Sequence, residues 1–220
     1  MLIQIYEISN PIEAQRILEL GVDHAGVLVG NGSFPREINI NDAHSILAVI
    51  PANSKKLVLT LSGDLQEIEI IVERLHPDIL HLGAFPDGIS PETVTLLKQK
   101  FPFLKIMRSI PVTDDKSVRM AIAYDQIADF LLLDSYKEGD KQIGATGMTH
   151  NWKISRAIVD AVRIPVILAG GLGPENVAEA IRQVRPAGVD SKSRTDKDGS
   201  HEKDMEKVKK FVQAVRMERR

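Results

Sequence analysis

Short runs of leucine and β-branched residues recur along the chain at nearly even intervals. Each is followed by a stretch whose apolar positions repeat at helical spacing. The first pattern is that of a strand and the second that of an amphipathic helix. The spacing predicts strands over 2–8, 24–29, 56–61, 78–82, 104–109, 128–134, 165–169 and 187–191. Between them it predicts helices over 11–20, 41–49, 65–75, 91–99, 116–123, 152–162, 174–184 and 201–215. Asn10 before Pro11, Ser90 before Pro91 and Gly173 before Pro174 supply helix starts. Strict alternation, with strands apolar enough to be covered on both faces, argues for an all-parallel sheet. Eight strands in 220 residues favour an α/β (βα)8 (TIM) barrel over an open doubly wound sheet. No linker or low-complexity stretch divides the chain, so residues 1–220 read as a single barrel domain.

Composition narrows the function. The 28 basic and 30 acidic side chains leave a formal charge of −2, which points to no nucleic-acid and no membrane-surface partner. Lys207, Lys209, Lys210, Arg216, Arg219 and Arg220 crowd the last helix, but acids interleave with them, as on a solvated terminal helix. Cysteine is absent, which removes disulfides, thiolate metal sites and any thiol nucleophile or base. The apolar start of the chain lacks a basic leader, and no run reaches the ~18 apolar residues of a membrane span. A cytoplasmic protein, monomeric or homodimeric, is expected.

In a barrel of this kind the chemistry sits at the C-terminal ends of the strands. Those ends carry Glu7, His81, Arg108, Asp134, Asp190 and Lys192, with Arg36 in the loop after the second strand. Several charges converging on one mouth are costly unless they pair or bind something. Asp134 ends the wholly apolar run Phe130-Leu131-Leu132-Leu133, where desolvation raises a carboxyl pKa and suits it to general-acid work. Pairing with Arg108 on the preceding strand is the structural alternative.

The segment Gly170-Gly171-Leu172-Gly173-Pro174 follows an apolar strand, with Pro174 placed to open a helix. Glycine lets backbone N–H groups approach an anion, and phosphate is the usual occupant of such a turn. The neighbouring loop Lys192-Ser193-Arg194 adds hydroxyls and cations. Loops after strands seven and eight form the common phosphate site of a barrel. A phosphorylated small molecule is therefore the expected partner. Gly144-Ala145-Thr146-Gly147 either lines the site or eases a crossover. His81, His150, Asp134 and Glu7 carry metal-ligating atoms, but no HxH or HExxH spacing supports them. Neither metal nor cofactor is expected.

At these residues a resemblance emerges. Leu131-Leu132-Leu133-Asp134-Ser135, Gly144-Ala145-Thr146-Gly147 with Asn151-Trp152, the run from Pro165 to Leu172, Pro174-Glu175-Asn176 and Pro186-Ala187-Gly188-Val189-Asp190 resemble the phosphoribosylanthranilate isomerase family of tryptophan biosynthesis. The likeness is dense over 128–215 and thinner before it, where Ser33-Phe34-Pro35-Arg36 is similar to the family's Ser-x-Arg loop. The resemblance implies an Amadori rearrangement, an aldose-to-ketose isomerisation of an N-linked phosphoribosyl group. It assigns the general acid to Asp134 and the phosphate site to Gly170, Gly171 and the Ser193 loop. It places Arg36 opposite the anthranilate carboxylate and Asp190 near the substrate amine.

The family's general base is a cysteine after strand one, and Tyr6 stands in its place, followed by Glu7. A phenol of pKa about 10 is a poorer base at neutral pH than a thiol of about 8.5. His81 is the better substitute, because an imidazole is matched to the task, with Glu7 the other. Lys192 and Arg194 point to a phosphate held by cations more than by hydroxyls, or to a second anionic group on the ligand. Two alternatives stay open: a barrel that binds a phosphorylated ligand, or regulates through it, without turnover, and a lyase or aldolase using Lys192 or another lysine as a Schiff base.

Overall fold

The computed structural model describes residues 1–136, 143–144 and 147–218. Ala145 and Thr146 of the glycine-rich loop, and Arg219 and Arg220 of the basic terminus, lie outside the described residues. Eight parallel strands close into a barrel in sequence order. They are β1 (Leu2–Tyr6), β2 (His24–Leu28), β3 (Lys55–Thr60), β4 (Ile79–Leu82), β5 (Lys105–Val112), β6 (Phe130–Ser135), β7 (Val166–Leu168) and β8 (Gly188–Ser191). The helices between and after them are α1 (Pro11–Glu19), α2 (Ile40–Leu47), α3 (Leu65–Leu75), α4 (Pro91–Lys100), α5 (Asp115–Tyr124), α6 (Trp152–Ala161), α7 (Val177–Val184) and α8 (Met205–Met217). Among the described residues no helix is long and apolar enough to cross a membrane.

Side chains alternate across a strand, and here the alternation yields two separate apolar clusters. Tyr6, Leu57, Ile79, Met107, Leu132 and Ile167 form the inner one. The residues one position away, such as Ile5, Val58, Leu80, Ile106, Leu131 and Val166, pack outward with the helices. Strand-end side chains sharing the parity of the inner cluster therefore point into the barrel mouth. Gly26 makes room there: a Cβ on it would lie 2.3 Å from the Tyr6 ring.

Helix starts follow local capping. The Asn10 side chain accepts from Glu13 N at 2.9 Å, and Ser90 accepts from Thr93 N at 3.3 Å. Two expected starts are corrected. Helix α7 begins at Val177 rather than at Pro174, because residues 174–176 form a turn held by Asn176. Its amide accepts from Gly173 N (2.9 Å) and donates to Gly171 O (3.0 Å). Helix α8 begins at Met205, not 201, because an antiparallel bridge between Asp196 and Lys203 consumes the preceding residues.

Candidate active site

Tyr6 ends β1 with its hydroxyl 2.7 Å from His81 Nδ1 on β4, and His81 Nε2 lies 2.6 Å from Ser109 Oγ on β5. In the tautomer protonated on Nε2, Tyr6 donates to Nδ1 and Nε2–H donates to Ser109; the other tautomer reverses both bonds. Burial pushes the His81 imidazole down to about 3, with Arg108 adding a smaller push. Burial raises the Tyr6 phenol well above its ordinary value, and the Asp190 and Glu7 carboxylates raise it further. At neutral pH the pair is an uncharged hydrogen-bonded couple.

Asp134 and Asp190 stand across the same pocket. Desolvation raises the Asp134 carboxyl to about 7, although Ser135 N–H donates to it at 2.7 Å and stabilises its charge. Desolvation also raises Asp190, and repulsion from Asp134 adds to it. Asp190 is held by Gln4 Nε2 at 3.2 Å, and Gln4 in turn meets His24 Nδ1 at 3.2 Å. Gly144 closes over the acid: its φ is +81°, and a Cβ there would lie 2.1 Å from Asp134 Oδ2.

Beside this pocket lies the turn after β7. Gly170, Gly171, Lys192, Ser193 and Arg194 line a small cradle into which Asp134 and Asp190 also face. Gly171 has φ +60°, and a Cβ there would strike the backbone of Met148 at 2.7 Å, so only glycine fits. Ser191 Oγ donates to Leu172 O at 2.7 Å, fixing β8 to this turn. Ser193 opens a short 3-10 turn (Ser193–Thr195), and Arg194 reaches Gly147 O at 3.2 Å. His150 flanks the cradle, with Nε2 2.7 Å from Ser155 Oγ and Nδ1 2.7 Å from the position of a Gly170 Cβ.

Glu7 and Arg36 meet at the rim in a carboxylate–guanidinium contact. Lys192 Nζ lies 3.6 Å from Glu7 and 2.9 Å from Asp196, whose other oxygen is 2.5 Å from the buried Lys203 Nζ. Burial raises the Glu7 carboxyl, and Arg36 lowers it in part. Lys192, expected at the phosphate, lines the cradle while its ammonium meets the Glu7 and Asp196 carboxylates.

Arg108, expected to bind substrate, is corrected. It is fully buried with the outward parity of β5, and its Nη1 donates to Leu82 O (2.8 Å) and Ala84 O (2.9 Å). Its guanidinium carbon stands 5.3 Å from the centroid of the Tyr124 ring. Asp134 and Arg108 form no ion pair, because consecutive strand ends of opposite parity face opposite sides. Arg108 therefore ties down the loop after β4. Arg108→Met should cost about 2 kcal/mol in urea unfolding, since two buried carbonyls lose a charged donor. A raised KM at unchanged stability would instead mark contact with substrate.

Ser109 and Gln4 were not singled out from the sequence, although the signal was there: polar residues on apolar strands, in phase with Met107 and Tyr6 respectively.

Comparison with known proteins agrees with this fold. The family model for N-(5'phosphoribosyl)anthranilate (PRA) isomerase matches residues 14–214. The N-(5'-phosphoribosyl)anthranilate isomerase of Methanocella arvoryzae is 32% identical over 216 residues, 98% of each chain. The solved Pyrococcus furiosus enzyme of the same name superposes with a TM-score of 0.80 at 25% identity over 99% of both chains. A phosphoribosyl anthranilate isomerase in complex with reduced 1-(o-carboxyphenylamino)-1-deoxyribulose 5-phosphate has the same fold. Its TM-score is 0.81 at 21% identity, over 99% of this chain and 100% of that one. With a sequence match running nearly end to end, the chain belongs to the N-(5'-phosphoribosyl)anthranilate isomerase family.

Proposed function

We propose that the chain catalyses an Amadori-type isomerisation of an N-linked phosphoribosyl group, on a substrate related to phosphoribosylanthranilate. The observation that carries this reading is the position of Asp134. Its carboxyl titrates at about 7 and faces both the Tyr6–His81 pocket and the glycine cradle. A phosphosugar lying across the two compartments has its phosphate at Gly170, Gly171, Ser193 and Arg194, and its sugar ring over the two aspartates.

Protonated Asp134 gives its proton to the furanose ring oxygen. The C1'–O bond breaks, and the nitrogen lone pair forms the iminium. The C2' proton then passes to the Tyr6 oxygen while the phenol proton moves to His81 Nδ1, and the C–H electron pair becomes a C1'=C2' bond. Tyr6 then gives a proton to C1' as His81 returns one to its oxygen, and the enol proton passes to the Asp134 carboxylate, which yields the 1-amino-1-deoxyketose 5-phosphate and restores all three groups. The imidazolium formed on His81 is offset by the carboxylate that the first step leaves on Asp134, a charge placed where the reaction needs it.

A second reading, ligand binding without turnover, is favoured by one observation: Tyr6 is raised and His81 lowered away from neutrality. One experiment separates the two. Purified chain is supplied with N-(5'-phosphoribosyl)anthranilate and with its aniline counterpart, and ketose formation is followed together with calorimetric binding. Turnover of either supports the isomerase. Binding without turnover supports the second reading, and neither binding nor turnover overturns both.

A further inference from the structure

Tyr6 of β1, His81 of β4 and Ser109 of β5 form a row of three hydrogen-bonding groups, all buried and all lining the pocket. Burial keeps the His81 imidazole neutral at neutral pH. The row therefore carries three exchangeable protons, one on each hydroxyl and one on the ring. Its two internal bonds, Tyr6 to Nδ1 at 2.7 Å and Nε2 to Ser109 at 2.6 Å, use two of them. The third is left over at one end. With the ring proton on Nε2, the spare proton is that of Ser109; with the ring proton on Nδ1, it is that of Tyr6. Among the described residues neither hydroxyl has a second hydrogen-bond partner. A buried donor without an acceptor costs free energy, so the acceptor that a ligand brings into the pocket decides which end keeps the spare proton.

We propose that Ser109 is a positioning residue for proton transfer: its hydroxyl donates to a sugar oxygen of the bound substrate, accepts from His81 Nε2–H, and so leaves Nδ1 empty for the Tyr6 proton. The inference rests on the isomerase reading of the site and deepens it. Tyr6 can take the C2' proton only if its own proton leaves, and Nδ1 is the atom that receives it. In the opposite tautomer Nδ1 is already protonated, and the phenol proton has nowhere to go. Strand β5 runs between β4, which carries His81, and β6, which carries Asp134. A sugar held at Asp134 thus brings its oxygens into the pocket that Ser109 lines. Once His81 is protonated, each of its N–H groups has an acceptor, the Tyr6 oxygen and Ser109 Oγ, which offsets part of the cost of a buried charge.

Heteronuclear NMR of isotope-labelled histidine in the full chain reads the tautomer directly, with reduced 1-(o-carboxyphenylamino)-1-deoxyribulose 5-phosphate as the probe. Adding the probe to wild type should move His81 to the form protonated on Nε2. Ser109→Ala removes the acceptor: the probe should still bind but leave the tautomer where it was. In that variant kcat on N-(5'-phosphoribosyl)anthranilate should fall about tenfold or more, with a smaller rise in KM, as when a catalytic histidine loses the group that fixes its tautomer. Ser109→Thr restores a hydroxyl and should recover both the shift and most of kcat. A tautomer that the probe leaves unmoved in wild type, or moves equally in Ser109→Ala, overturns the inference while leaving the isomerase site standing, and so does an unchanged kcat in Ser109→Ala. The expected shift in a wild type that does not turn over N-(5'-phosphoribosyl)anthranilate overturns the isomerase reading but supports the coupling through Ser109. Failure of the probe to bind overturns both.

Discussion

Replacing Asp134 by asparagine should reduce kcat by about 10²–10⁴-fold, the usual contribution of a general acid, with little change in KM. The amide keeps the shape under Gly144 but has no proton to give to a ring oxygen. Because the working form is the protonated one and its pKa is about 7, wild-type kcat/KM should decline as pH rises through neutrality. That limb should vanish in any residual activity of the variant. The substitution should change stability in the opposite direction to activity. The folded-state pKa is raised above the ordinary carboxylate value, so the folded state binds the extra proton. Its stabilising contribution is full below the ordinary range and is lost as pH rises through about 7. Asp134→Asn should therefore melt above wild type at about pH 8 and close to it in mild acid. Calorimetric melting of both proteins at the two pH values, beside steady-state kinetics, checks both signs. Near-normal turnover in the variant would remove Asp134 as the acid.

Tyr6→Phe should lower kcat by about 10²-fold or more, since the ring stays and only the proton carrier is lost. The ring occupies the space left by Gly26, so packing survives, and the missing hydrogen bond to His81 should cost about 1 kcal/mol. Binding of reduced 1-(o-carboxyphenylamino)-1-deoxyribulose 5-phosphate should be nearly unchanged, which separates a chemical role from a positioning one. If Tyr6→Phe turns over normally while Glu7→Gln does not, the proton goes to Glu7, the other base expected from the sequence. If His81→Asn behaves as Tyr6→Phe does, the two act as one unit, and their effects should not add.

The architecture was legible because its determinants are local. Apolar runs of strand length, amphipathic segments of helical period and capping residues such as Asn10 and Ser90 act within a few residues of sequence. Their eightfold alternation limits the closed forms available. Gly170 and Gly171 were legible as a close-approach turn for the same reason, since their positive φ needs no distant partner to be inferred. Errors fell where a competing contact decided the outcome. Pro174 is well suited to begin a helix, yet Asn176 binds Gly171 and Gly173 and delays α7 to Val177.

Arg108 shows the main limit. On a strand apolar on both faces, hydropathy does not reveal which parity enters the barrel. Arg108 was therefore placed at the mouth, when Ser109 is the residue in phase with Met107 that meets His81. Lys192 shows another limit. Its position after β8 was evident, but the direction of its ammonium depends on Glu7, at the other end of the chain, as well as on Asp196 in its own loop.

The sequence by itself determined that the chain is a single run of strand–helix units. It also determined that an acid, Asp134, ends an apolar strand, and that no thiol is available as base. Only the tertiary structure decided which strand-end residues share the pocket. It turned Tyr6 and His81 into one hydrogen-bonded couple, set Asp134 near neutrality by burying it, and joined Glu7 to Arg36. The physical reason is that secondary structure depends on short-range periodicity and sterics. Desolvation and charge pairing depend on which atoms are brought together by closing the barrel, across separations such as the 75 residues between Tyr6 and His81 and the 186 between Gln4 and Asp190.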